Sequence, residues 1–275
     1  MKQTTPVAKF FIFLFAIFWA VVCILPITQL VSATFSTPDR GLSTTFYPNS
    51  WSTGVQSIKD AIDQANMIET TIQSFWYVGF AIAGMLLVTS LAAYELALFR
   101  FPGSNILFVV ILSSMMLPMI TYIIPLYRFV FSLGWSDTLV GLSIPAIPSA
   151  FSCFIIKQFL ESMPHELVEA GEIDGANHMT IFFRVVLPLM ATSLLTVTVL
   201  MFMQVWGSFL WPTLIAGVKW KPVSVAVAGM LGMSSWATMQ VRIACCLLAA
   251  IPPLAVYLIF QKYIVEGIAT SGLKG

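Results

Sequence analysis

The sequence predicts an all-α integral membrane protein with about six transmembrane helices in a single membrane domain. Three observations carry that reading. Of the 275 residues, 59% are hydrophobic and 9% charged, whereas a soluble domain carries about 25% charged residues. Mean hydropathy is +0.92. The apolar residues also gather in runs near the ~20 residues that a helix needs to cross the hydrocarbon core. Lipid is therefore the main solvent of this chain.

The first run, residues 10–31, follows Lys2 and Lys9 and leads into Val31-Ser32-Ala33, a small-residue pattern like a signal-peptide cleavage site. Its 22 residues exceed the ~7–15 of a signal-peptide core, which favours a retained helix. A polar segment, residues 32–71, carries Asp39, Arg40, Pro48, Asn49, Lys59, Asp60 and Asp63, and is long enough for a small substructure. Runs 75–94, 106–126 and 139–159 supply the next three spans. Short turns join them at 98–105, with Arg100, Pro102 and Gly103, and at 127–138. An acidic segment, 161–186, precedes a fifth span at 187–211, which Trp211-Pro212 is expected to end before Ile215. Residues 218–242 are mixed. Their 223–233 piece is apolar but too short to span, so it reads as a re-entrant or surface segment whose backbone protein or water must satisfy. The sixth span is 243–261.

Six spans put both termini on one side, together with 98–105 and 161–186. That side holds seven Lys or Arg residues and the other six, so the positive-inside rule does not orient the chain. A net charge of +1 gives no broad field for nucleic acid. Cys23, Cys153, Cys245 and Cys246 lie inside apolar runs without disulfide or metal spacing. His165-Glu166 opens like a zinc-protease motif but lacks its second His. No nucleophile–base pair stands out, so no catalytic residue is expected. There is no Gly-Lys dipeptide, hence no phosphate-cradling loop of an ATPase. Ion-coupled transport favours an acid within the spans, and only Glu95, at the end of the second run, comes near one.

The acidic segment is the most informative. Glu161, Glu166, Glu169, Glu172 and Asp174 are five of the twelve acids, within fourteen residues. Each would cost roughly 2.5–3.5 kcal/mol at mid-membrane, so the segment lies outside lipid. Ser162 can cap a helix with Pro164 in its first turn. Leu167, Ala170 and Gly171 share a face, beside an acidic face of Glu166, Glu169 and Glu172. Gly175 is placed to stop that helix in a left-handed cap. Asn177 can start a second helix carrying Ile181, Phe182 and Val185, and Pro188 marks entry to the fifth span. A small face beside an acidic one suits a partner's Arg or Lys. A solvated loop with ordinary caps accounts for the same residues.

Glu169-Ala170-Gly171, then Gly175, Val185 and Leu187-Pro188, have the spacing of the EAA motif. In this the chain resembles permease subunits of bacterial binding-protein-dependent ATP-binding-cassette sugar importers, of the maltose type. Ile173-Asp174-Gly175-Ala176 resembles the family's turn, with Gly171 standing where Ala is usual. Leu91-Ala92-Ala93-Tyr94 with Phe99-Arg100-Phe101-Pro102-Gly103 is similar to the family's second span and following turn. Trp206-Gly207-Ser208-Phe209-Leu210-Trp211-Pro212 is similar to its Trp-Asn-x-Phe-Leu-Trp-Pro stretch, with Gly207 in place of Asn. The tail from Gln261 to Gly267, ending Leu273-Lys274-Gly275, resembles the family's C-terminus. The likeness covers roughly residues 75–275, while 32–71 matches poorly.

The resemblance implies a type I importer permease fold in a bacterial cell membrane, with both termini cytoplasmic. It implies that 161–186 is a cytoplasmic coupling loop seated on an ATPase subunit. Glu169, Ala170, Gly171, Asp174, Gly175 and Ala176 would dock there, with Leu187 and Pro188 joining the loop to the fifth span. Its expected partners are a homologous second permease, two ATPase subunits that carry ATP and Mg2+, an extracytoplasmic solute-binding protein and lipid. This chain itself would bind no cofactor or metal. The cargo would be a sugar or oligosaccharide, or alternatively glycerol 3-phosphate, a polyol or another solute. A self-sufficient secondary transporter is the other class. Trp76, Tyr77, Tyr122, Trp206, Phe209 and Trp211 are aromatics near span ends or within spans. Trp206 and Phe209 are candidates for sugar contact, although Trp and Tyr also gather at membrane interfaces. Lys219, Trp220 and Lys221 are candidates for contact with the binding protein.

Overall fold

The computed structural model describes residues 6–38, 47–99, 101–232 and 237–272, the stretch 264–272 by its backbone alone. Expectations resting on Lys2, Asp39, Arg40, Arg100, Met233, Trp236 and Leu273-Lys274-Gly275 lie outside the described residues. The described elements are helical. Three helices, α1 (Pro6–Thr34), α3 (Met67–Leu98) and the last, α14 (Met239–Gly272), are long and apolar enough to cross a membrane. Three sharply bent helix pairs raise the number to six if each pair counts as one span.

The chain divides into two compact units, one of residues 1–69 and 226–251, the other of 70–225 and 252–275. In the first unit α1 is exposed along most of its length, and only Ser32, Ala33 and Thr34 at its end are buried. The polar segment does contain a substructure, α2 (Trp51–Gln64), capped by Ser50, whose hydroxyl accepts from Thr53 N. Gly54, Ser57 and Ala61 form its buried stripe. Phe35 fastens the two helices together. Its ring stacks on Trp51 with centroids 4.7 Å apart, and its carbonyl accepts from the Asn49 and Ser50 amides.

The second unit is where proline shapes the helices. The run read as one span at 106–126 is α4 (Ser104–Ser113), a 3-10 turn and α5 (Met119–Ser132), bent by 100°. Leu117-Pro118 makes the break, since Pro118 has no N–H and forces Leu117 into an extended conformation. The run at 139–159 is α6 (Leu139–Ser143) and α7 (Ala150–Leu160) with a 53° bend, across a stretch holding Pro145 and Pro148. The fifth run differs from expectation at its far end. The helix α11 (Ala191–Trp206) stops at Gly207, and α12 (Leu210–Ile215) restarts it. Pro212 falls in the first turn of α12, where its missing N–H costs nothing. In contrast α3 runs unbroken for 32 residues. Within the apolar 223–233 piece, Val223–Leu231 form a short helix, α13.

Candidate functional site

The acidic segment folds as an elbow. Its first arm, α8 (Glu166–Ile173), starts later than Ser162 suggests. Ser162 turns its hydroxyl back to the Phe159 carbonyl at 2.7 Å, so it closes α7 instead of opening α8. Just before it, buried Lys157 pairs with Glu161 and lies 4.4 Å over the Phe108 ring. At the turn Gly175 adopts φ +77°. Its N–H donates to Glu172 O and that of Ala176 to Gly171 O, both at 3.0 Å, which completes a Schellman closure around Asp174. Asn177 then caps α9 (His178–Ile181), its Oδ1 accepting from Thr180 N at 2.8 Å.

The two arms meet where Gly171 lies against Ile181. A Cβ at Gly171 would come 3.0 Å from Ile181 Cγ1, so the residue that departs from the usual Ala is fitted to its neighbour. Ala170 and Gly171 therefore do not form one surface. Gly171 packs inward with buried Val168, and Ala170 faces out with Glu166, Glu169 and Asp174. Ile173 is 85% exposed, and Leu167, Met179 and Phe183 are also exposed. The outer edge thus mixes carboxylates with bare apolar groups.

An aromatic cluster bolts the elbow to the end of α3. Tyr94 packs edge-on to Phe99 and Phe182, with centroids at 5.4 and 5.1 Å, and Phe99 meets the His178 ring at 4.9 Å. His178, read as a helix-start residue, is that, and its Nδ1 also lies 3.7 Å from Glu172. Beyond α9 the chain widens into a π turn over Phe182–Val186, which includes Val185, and then tightens into α10 (Leu187–Leu189). Pro188 cannot donate to the carbonyl a turn earlier, and the π turn takes up that mismatch. A 74° bend at Met190 leads into α11.

The other end of α3 carries a second loop. Gln73 donates to Lys219 O at 3.2 Å and accepts from Lys221 N at 2.7 Å, and Ser74 accepts from Val223 N at 2.7 Å. Gln73 and Tyr94 lie roughly 30 Å apart along the helix at 1.5 Å per residue. The elbow and the 217–221 loop are therefore at opposite ends of one rod as long as the hydrocarbon core is thick. Lys219 and Lys221 are exposed, Trp220 is half-buried, and Val218 is 99% exposed.

Between these ends is a cavity of about 580 Å³. Broken backbone lines it in three places: Ser114, Met115, Leu117 and Met119 at the bend between α4 and α5, Pro145, Ala146, Pro148, Ser149 and Ala150 at the bend between α6 and α7, and Gln204, Val205, Ser208 and Trp211 around the Gly207 interruption between α11 and α12. Irregular backbone at membrane depth is tolerated where it lines such a space. Tyr77, Tyr122 and Trp211 stand on its wall, and Trp211 is fixed by donating to Gly141 O at 3.0 Å. Trp206 and Phe209 are not lining residues. Trp206 is buried, stacked on Phe202 at 5.4 Å, and Phe209 is 47% exposed. Gln204, Ser208, Ser114 and Ser149 escaped the sequence reading, although Pro118, Pro145, Pro148 and Gly207 signalled the breaks that bring them together.

Residues 85–270 match the family of binding-protein-dependent transport system inner membrane components. The chain belongs to this family. It is similar to the sn-glycerol-3-phosphate transport system permease protein UgpE of Yersinia enterocolitica, with 39% identity over 197 residues, 70% of this chain and 69% of the relative. The protein of the same name from Escherichia coli is 34% identical over 221 residues, 75% of this chain and 77% of that one. A chain in the crystal structure of a bacterial ABC transporter involved in the import of the acidic polysaccharide alginate shares the fold, with a TM-score of 0.78, 22% identity, and coverage of 96% of this chain and 99% of that one. This inner membrane component is thus a multi-pass permease subunit of an ATP-driven importer. Such a subunit works with ATP-hydrolysing and solute-binding components.

Proposed function

We propose that this permease passes a neutral polyhydroxylated solute, a sugar or oligosaccharide, handed over by an extracytoplasmic binding protein. The cavity wall carries the reading. Its polar groups are the hydroxyls of Tyr77, Tyr122, Ser114, Ser149 and Ser208 and the amide of Gln204, set among aromatic rings and methionines. Hydroxyls and an amide can donate to and accept from sugar hydroxyls, and few polar groups among apolar walls are the usual make-up of a small-molecule site. Trp206 and Phe209 adjoin the lining residues Val205 and Ser208 in sequence. A second reading, sn-glycerol 3-phosphate, is favoured by the names of the relatives, but a phosphate ester would call for Arg or Lys on the path.

In this reading the elbow is cytoplasmic, as are both termini, and Glu169, Ala170, Asp174, Gly175 and Ala176 seat in a cleft on one of two ATPase subunits. Those subunits hold ATP and Mg2+. This chain adds no catalytic group and binds no cofactor, and a homologous second permease completes the path. Closure of the ATPases pushes the elbow, and the aromatic bolt carries the motion into α3. The π turn and Leu187-Pro188 carry it into α11, whose broken end borders the cavity. Lys219, Trp220 and Lys221 meet the binding protein at the far end.

Proteoliposomes holding the complete importer test the cargo. ATP-dependent uptake of a neutral sugar, undiminished by excess sn-glycerol 3-phosphate, is the expected result. Uptake of the phosphate ester with no sugar uptake would establish the second reading. Replacing Glu169 and Gly175 together is expected to lower both stimulated ATP hydrolysis and uptake, and wild-type uptake would refute the coupling role.

A further inference from the structure

We infer that Asp137 is a positioning residue for the binding-protein contact: its carboxylate moulds the 217–221 loop into the shape that docks. The inference rests on the reading of Lys219, Trp220 and Lys221 given above. Asp137 lies in the turn between α5 and α6, some eighty residues away in sequence. One carboxylate oxygen, Oδ1, accepts from Gly217 N at 3.0 Å and Trp220 N at 2.7 Å, and Oδ2 accepts from Lys219 N at 2.9 Å. Its own N–H donates to Ile215 O at 2.9 Å, and its backbone sits at φ +52°, a region that Asp tolerates better than most residues.

The loop is thus wrapped around the Asp137 carboxylate, with Gln73 gripping its other edge at Lys219 O and Lys221 N. Backbone amides converging on one carboxylate make a concave anion nest, here filled from within the chain. What remains outward is a fixed tip: Val218, 99% exposed, flanked by the exposed side chains of Lys219 and Lys221. A tip already ordered loses little freedom on docking. Two lysines around one bare valine fit an acidic rim with an apolar dimple on the solute-binding protein.

The importer reconstituted in nanodiscs, with solute-loaded binding protein titrated against ATP hydrolysis, separates positioning from mere folding. Losing charge-assisted hydrogen bonds from the nest should raise the half-saturating binding-protein concentration about tenfold in Asp137→Ala, with the saturating rate kept within about twofold. Asp137→Asn should give a smaller rise, because its remaining amide oxygen can still accept from loop amides while only its NH2 faces an N–H donor. Gly217→Ala attacks the same contact from the loop side, since a Cβ there would lie 2.6 Å from Asp137 Oδ2. An unchanged half-saturation in Asp137→Ala and Gly217→Ala, or a fall in saturating rate alone, would overturn the inference. Lys219→Ala with Lys221→Ala tests the docking reading separately. If that pair titrates like the wild type while trypsin cuts the loop faster in Asp137→Ala, the carboxylate holds a loop that does not dock, and both the docking reading and the positioning role fall.

Discussion

Gly175 and Asp137 both sit at positive φ, but for different reasons, and they were not equally legible. Gly175 has open space where a Cβ would stand, so its left-handed backbone is the whole constraint. Gly175→Ala should cost about 1–2 kcal/mol at the turn, seen as a lowered unfolding temperature of the assembled importer together with reduced ATP-coupled uptake. That turn could be read from sequence because its chemistry is local: a glycine to end one helix and an asparagine to cap the next. Asp137 gave no such signal, since its partners lie eighty residues on. Burial pushes its carboxyl upward, but the amides of Lys219, Trp220, Gly217 and Val218 outweigh burial and hold it below the ordinary carboxylate range. A depressed folded-state value means that the carboxylate stabilises the loop above the ordinary pKa and ceases to do so as pH falls through the depressed one. Hydrogen-exchange protection of the 217–220 amides, corrected for intrinsic rates, should therefore persist at neutral pH and collapse in acid. Asp137→Asn should show weaker protection and no such step.

Among the helices, what sequence reading located were apolar runs, and what it missed were the breaks inside them. Hydropathy averages over a window and does not register that Pro118 turns a run through 100°. The prolines were visible, but a proline in a membrane helix can also be absorbed by neighbours, so only packing decides. The same limit explains the interruption after α11, expected at Trp211-Pro212 but made at Gly207. It also explains why the cavity's Gln204 and Ser208 passed unnoticed. The joint between α3 and the elbow is aromatic, not polar: the Tyr94 hydroxyl is 3.5 Å from His178 O, a marginal hydrogen bond, while its ring is 3% exposed between Phe99 and Phe182. Tyr94→Phe should leave uptake and stability close to wild type. Tyr94→Ala should cost roughly 3–5 kcal/mol, the range for emptying an aromatic site, and should let ATP hydrolysis run with less uptake. Parallel measurement of hydrolysis and transport in both variants checks this.

The net sidedness of the protein was invisible in its charges, which divide seven against six. Folding supplies the missing constraint, because α3 carries the 217–221 loop at one end and the elbow at the other. If the elbow is inside, Val218→Cys in a cysteine-free background should react with a membrane-impermeant maleimide applied to intact cells. Met179→Cys should react only after permeabilisation. The reverse pattern would invert the assignment.

The contrast between α3 and its neighbours has a mechanical corollary. A straight strut is stiff along its axis, whereas a limb with an elbow in it yields sideways. A stroke delivered at the inner face would then reach the outer face through α3 with little lost travel, while the jointed limbs around it fold or extend. One input would so produce two outputs, a shift of the outer grip and a change in the bore of the chamber, timed together because they share a single lever.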